Sequence, residues 1–120
     1  MKNSKRKGNS GELELLHLLE EREIPCHRNQ QGPLADFRGG AGNPDVWARI
    51  GGHDLHCEVK RTECFRLYTS LEQAQRDAAG TDAVPIVVHR QNRKPWVVVL
   101  SLDGFLKLIS PSETGRKEKE

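Results

Sequence analysis

The sequence lacks several features that would have decided its class at once. No apolar run is long enough to cross a bilayer. No apolar segment with a cleavage site follows the basic start MKNSKRKGNSGE, so a secretory leader is not expected and the cytoplasm is the default compartment. Cysteines number three, Cys26, Cys57 and Cys64, with no CxxC pair. A zinc knuckle and a disulfide framework are thereby disfavoured, and reduced thiols are expected. There is no internal repeat. Formal net charge is only +2, too little for a uniformly basic surface.

What is present is a wet globular composition, 35% hydrophobic and 30% charged over 120 residues, which suits a single domain with a modest core. The charge is uneven. Residues 1–7 hold Lys2, Lys5, Arg6 and Lys7 and no acid, while the body between the two termini is slightly acidic. A basic, flexible arm over residues 1–8 is therefore expected, suited to phosphate contact. A solvated terminus would carry the same charges. Residues 9–109 are expected to form the domain, and 110–120 a disordered tail.

Along the chain, Leu13, Leu16 and Leu19, with Leu15 alongside, predict a helix from about Ser10 to Arg22, capped by Asn9 or Ser10. Residues 26–30 read as a short strand. Residues 31–44 form a glycine-containing loop, which either simply connects or lets a nucleic-acid backbone come close. Asp45–Ile50, Gly51-Gly52 and His53–Arg61 read as a hairpin. Ser70 is expected to open a second helix to about Ala79 through a Ser-x-x-Gln capping box with Gln73. Val84–His89 and Trp96–Leu100 predict two doubly covered strands joined by Gln91–Lys94, and Asp103–Ile109 a closing helix. The order α-β-β-β-α-β-β-α implies a mixed central sheet flanked by helices, an α/β fold.

The most informative segment is PDVWARIGGHDLHCEVK. With Gly51-Gly52 as a two-residue turn, Arg49 faces Asp54, Trp47 faces His56 and Asp45 faces Glu58. Alternation puts Val46, Ala48, Ile50, Leu55 and Cys57 on one face. Asp45, Glu58 and Lys60 lie on the other. Facing carboxylates repel each other, and a hard divalent cation with oxygen ligands removes the conflict. The Val59 carbonyl is a candidate further ligand. A four-residue turn would put Asp45 opposite Lys60 instead, with all three residues still on one face. His56 shares that face, whereas His53 lies near the turn on the other; His17, His27 and His89 are scattered. Surface or packing roles are the simpler reading for all five histidines, and for Trp47 and Trp96 packing is simpler than base stacking.

These residues resemble the PD-(D/E)xK nuclease superfamily, and within it the archaeal-type Holliday junction resolvases also found in some bacteriophages. The matching pattern is Lys7-Gly8, Glu12, the Gly-rich loop into Pro44-Asp45, Glu58-Val59-Lys60 and Gln73, and it spans most of residues 7–100. A loop serine frequent in that family is replaced here by Gly39-Gly40-Ala41-Gly42.

The resemblance implies a restriction-endonuclease-like fold and hydrolysis of DNA phosphodiesters. Asp45, Glu58 and Glu12 would surround Mg²⁺, with Mn²⁺ able to substitute. Lys60 would be catalytic and Gln73 an accessory residue. It also implies a homodimer acting on four-way DNA junctions. Lys5, Arg6, Lys7, Arg61 and Arg66 are the expected DNA contacts. A nuclease of the same fold acting on duplex, flap or single-stranded DNA, or a non-catalytic DNA-binding module that kept the fold, are the alternatives.

Overall fold

The computed structural model describes residues 2–28 and 43–110, with side chains from Ser10 onward. The elements are α1 (Lys2–Glu21), β1 (Cys26–Arg28), β2 (Val46–Ile50), β3 (His53–Arg61), α2 (Leu67–Ala78), β4 (Val84–Arg90), β5 (Val97–Val99) and α3 (Leu102–Ile109). Their order is the expected one. The glycine-rich loop and the C-terminal tail lie outside the described residues. No helix among the described residues is long and apolar enough to cross a membrane.

The strands form one mixed sheet in the order β1-β2-β3-β4-β5. All neighbours are antiparallel except β3 and β4. Parallel neighbours need a crossover, and α2 supplies it. That crossover lays α2 on the face carrying Val87, where Leu71 and Ala74 pack with Phe65 and Val99. The opposite face carries the larger core: Leu15 and Leu16 of α1 against Val46, Ala48, Leu55, Cys57, Val59, Val84, Ile86 and Val88.

Gly11 sets how closely α1 approaches the sheet. A Cβ there would lie 2.7 Å from the Cβ of Arg61. The buried stripe of α1 is thus Gly11, Leu15 and Leu16, with Leu19 packed alongside, while Leu13 is exposed.

Several expectations are corrected. Helix α1 begins at Lys2, not near Ser10, so the helix runs through residues 2–8 as well. Once the Leu15–Leu19 region is packed, each residue added upstream gains a hydrogen bond without a new nucleus, and lysine and arginine are good helix formers. Helix α2 begins at Leu67, and Ser70 is buried inside it rather than capping it. Its N-cap, Arg66, makes no side-chain cap bond, so the Ser70–Gln73 capping box is absent.

Strand β5 is a sheet edge with Val97 and Val98 exposed, not a doubly covered strand. Strand β4 is covered as expected. Ser101, whose hydroxyl accepts from the Gly104 N–H at 3.0 Å, starts α3 one residue early, at Leu102.

Candidate active site on the β2–β3 hairpin

The Gly51-Gly52 turn closes the hairpin with both glycines in the left-handed region (φ 60° and 83°), as a tight two-residue turn of this hand requires. The resulting register pairs Val46 with Cys57, Trp47 with His56 and Arg49 with Asp54. This is the two-residue-turn register, and the four-residue alternative is excluded. Continued by one residue, it brings Asp45, just before β2, opposite Glu58.

The two acids meet there. The Asp45 Oδ2 accepts from the Val59 N–H at 2.9 Å, and the side chains of Asp45 and Glu58 are hydrogen-bonded to each other. Glu58 is buried (4% exposed). Burial pushes its carboxyl up to about 8, and the charge of Asp45, their shared hydrogen bond and the charge of Asp77 act in the same direction. Lys60, half-buried and two residues on, pulls the other way. Near neutral pH the metal-free pair therefore holds a proton between the two carboxylates. The N–H and C=O of one strand residue project to the same strand edge. The Val59 carbonyl thus lies along the edge where Asp45 sits, beyond the end of β2.

Two further groups stand beside Glu58. His56, on the same face of β3, is 3% exposed, and its Nε2 is buried without a hydrogen-bond partner among the described residues. Burial lowers its pKa from the usual histidine value, against the charges of Asp77 and Asp45. Asp77 reaches the same place from α2. Ligand-type atoms of His56, Glu58 and Asp77 all lie within 4.8 Å of one another. Sequence reasoning set His56 aside and missed Asp77. The available signal was helical spacing: Asp77 lies four residues after Gln73 and three after the buried Ala74, on the stripe of α2 nearest the sheet.

Other expected site residues are placed differently. Glu12 receives the Arg28 guanidinium, with Nη2 at 2.8 Å and Nε at 3.0 Å, and is held beside β1. Arg61 lies on the α1 face, paired with Glu14 at 3.8 Å and bonded to Asn92 at 2.9 Å, so it is not on the Glu58 face. Alternation along β3 already put it with Cys57 and Val59. Arg66 is exposed at the start of α2 and Gln73 is half-buried on it. Lys5, Arg6 and Lys7 lie in the first half of α1, their side chains outside the described positions. Trp47 stacks on His27 with ring centroids 4.8 Å apart.

The donor set suits a divalent cation. Two facing carboxylates that retain a proton, a strand-edge carbonyl and an unpartnered buried imidazole are groups a cation would satisfy.

No protein-family model matches the sequence, and no curated protein matches it. Among solved structures, the chain is similar to the Holliday junction resolvase Hjc of the archaeal hyperthermophile Archaeoglobus fulgidus. The identity is 24% and the TM-score 0.58, over 78% of this chain and 76% of that one. This chain therefore has the mixed-sheet α/β fold of an archaeal Holliday junction resolvase.

Proposed function

We propose that this chain is a divalent-metal-dependent, structure-selective endodeoxyribonuclease that resolves four-way DNA junctions by paired nicks. The observation that carries the reading is the meeting of Asp45 and Glu58 across the hairpin, with Lys60 on the same face. The shared fold supports it.

Asp45, Glu58 and the Val59 carbonyl would hold Mg²⁺, with Mn²⁺ as a substitute. When bound, such an ion polarises the scissile phosphate and makes water a nucleophile at neutral pH. Glu58 must give up its proton for the pair to serve as ligands, and Lys60 favours that loss. The Lys60 ammonium also donates to the phosphate oxygens as charge builds in the transition state. Gln73, on the helix above, is an accessory residue of the same face. Glu12 remains the third acid on the strength of the resemblance, and it must leave Arg28 to act there. Arg66 and the cations Lys5, Arg6 and Lys7 are proposed phosphate contacts.

A homodimer fits this reading, because paired nicks need two sites. Its support is an apolar stripe on α3 that stays exposed among the described residues. Leu102, Phe105, Leu106 and Ile109 recur at helical spacing, all are exposed, and no residue of α3 is fully buried. They adjoin the exposed edge strand β5 in sequence, and an unpaired edge invites a second chain.

The deciding experiment is cleavage, with Mg²⁺, of a panel comprising a four-way junction, a flap, a duplex and a single strand. Paired nicks confined to the junction are expected. Cleavage of another member would make the chain a nuclease of different preference. Binding without cleavage would make it a non-catalytic DNA-binding module.

A further inference from the structure

We propose that His56, Glu58 and Asp77 form a second divalent-ion position beside the Asp45–Glu58 pair, sharing Glu58, which takes a nitrogen-accepting first-row ion such as Zn²⁺ or Co²⁺ in preference to Mg²⁺. This rests on the hairpin reading only in treating Glu58 as a ligand.

The argument starts from a polar atom without a purpose in the fold. Buried polar atoms are nearly always hydrogen-bonded, and each exception asks for an explanation. The Nε2 of His56 is such an exception. A ring nitrogen of His56 lies within 4.8 Å of carboxylate oxygens on Glu58 and Asp77.

Asp77 has no hydrogen-bond or ion-pair partner among the described residues, and it is half-buried on a helix surface, so its carboxylate is free to turn inward. Donor bonds to first-row ions are about 2.0–2.2 Å long, so a small side-chain rotation would close the three donors on one ion. Imidazole suits zinc and its neighbours, whereas Mg²⁺ prefers an all-oxygen shell. The hairpin position, with two carboxylates and a carbonyl, is of the second kind.

The test follows the imidazole itself. The full chain, labelled with ¹⁵N-histidine, gives ring signals for five histidines, of which His56→Gln removes one and so assigns it. One equivalent of Zn²⁺ should move a His56 ring-nitrogen signal to a metal-bound position, and saturating Mg²⁺ should leave it in place. Asp77→Asn, a change on the partly exposed side of α2, should raise the Zn²⁺ needed at least tenfold. A His56 ring unmoved by Zn²⁺ in the folded parent would overturn the proposal, as would an Asp77→Asn variant that titrates like the parent. Junction cleavage in Mg²⁺ together with a silent His56 would overturn this inference and leave the nuclease reading standing. A responsive His56 in a protein that cleaves no DNA would do the reverse.

Discussion

The carboxyl of Glu58 is hydrogen-bonded to that of Asp45, and the Asp45 carboxylate in turn accepts from the backbone N–H of Val59, the residue after Glu58. The two acids are therefore not equivalent. Glu58 is the more deeply buried member, while Asp45 also anchors the chain where β2 begins.

This asymmetry fixes a pH dependence in the metal-free protein. The Glu58 carboxyl holds its proton to about pH 8 in the fold, against an ordinary value of 4.5. Its contribution to stability is thus fully present below pH 4.5 and is lost as pH rises through about 8. His56, with a lowered pKa, works in the opposite direction in acid, where the unfolded chain takes the proton first. Asp45 and Asp77 raise the Glu58 value and Lys60 lowers it, so the parent-minus-variant difference is the useful quantity. Glu58→Gln in EDTA should melt at or above the parent at pH 8–9, and this advantage should shrink or reverse toward pH 5. A difference independent of pH would contradict the shared proton.

Asp45→Ala should behave otherwise. It leaves the Val59 N–H without its acceptor, a loss of about 1–3 kcal/mol when the group is buried. The variant should unfold at lower denaturant with an unchanged m-value. Saturating Mg²⁺ or Mn²⁺ should raise the parent's melting point and move either acid variant much less. Equal metal shifts in all three proteins would place the ion elsewhere.

Gly11→Ala should destabilise the fold even though alanine is the better helix former. The added methyl meets the Arg61 Cβ at 2.7 Å, and neither backbone can withdraw without opening the α1–β3 contact. Overpacking of this kind costs about 1–3 kcal/mol, more than the helix-propensity gain of about 1 kcal/mol. A more stable variant in chemical denaturation would show that α1 sits further from the sheet.

Much of the hairpin was legible before any coordinates. Gly51-Gly52 fixed the turn, the turn fixed the register, and the register placed Asp45 opposite Glu58. Period-two alternation along β3 separates Glu58 and Lys60 from Cys57 and Val59, and it also puts Arg61 on the α1 face, away from Glu58. Asp77 was not legible in the same way, because its approach to His56 depends on how the α2 crossover packs over β3. The partner of Glu12 was equally hidden, since Arg28 reaches it only after β1 is paired to β2. The start of α1 and the exposure of β5 are hidden for a related reason: local residue preference does not say how far a packed helix propagates or which strand ends a sheet.

Phe105→Glu combined with Leu106→Glu should convert a dimer into a monomer in sedimentation while leaving the fold intact, because both positions are already exposed. Unchanged sedimentation of a dimeric parent and its variant would move the self-contact away from α3.

Deleting residues 1–7 should weaken DNA binding and flatten its salt dependence. Each phosphate contact contributes a salt slope of about 0.9 on duplex DNA, and four cations lie in that segment. An identical slope in the truncated protein would remove Lys5, Arg6 and Lys7 from the DNA contacts.

The central claim, that the Asp45, Glu58 and Lys60 face of the hairpin performs phosphodiester hydrolysis, is tested most directly by single-turnover cleavage of a four-way junction with Mg²⁺, parent against Lys60→Ala. Junction binding is measured in parallel in Ca²⁺. The account predicts a rate lower by roughly 10²–10³-fold or more, the scale seen when one transition-state donor is removed, with binding changed little. Equal cleavage rates in the two proteins would contradict it.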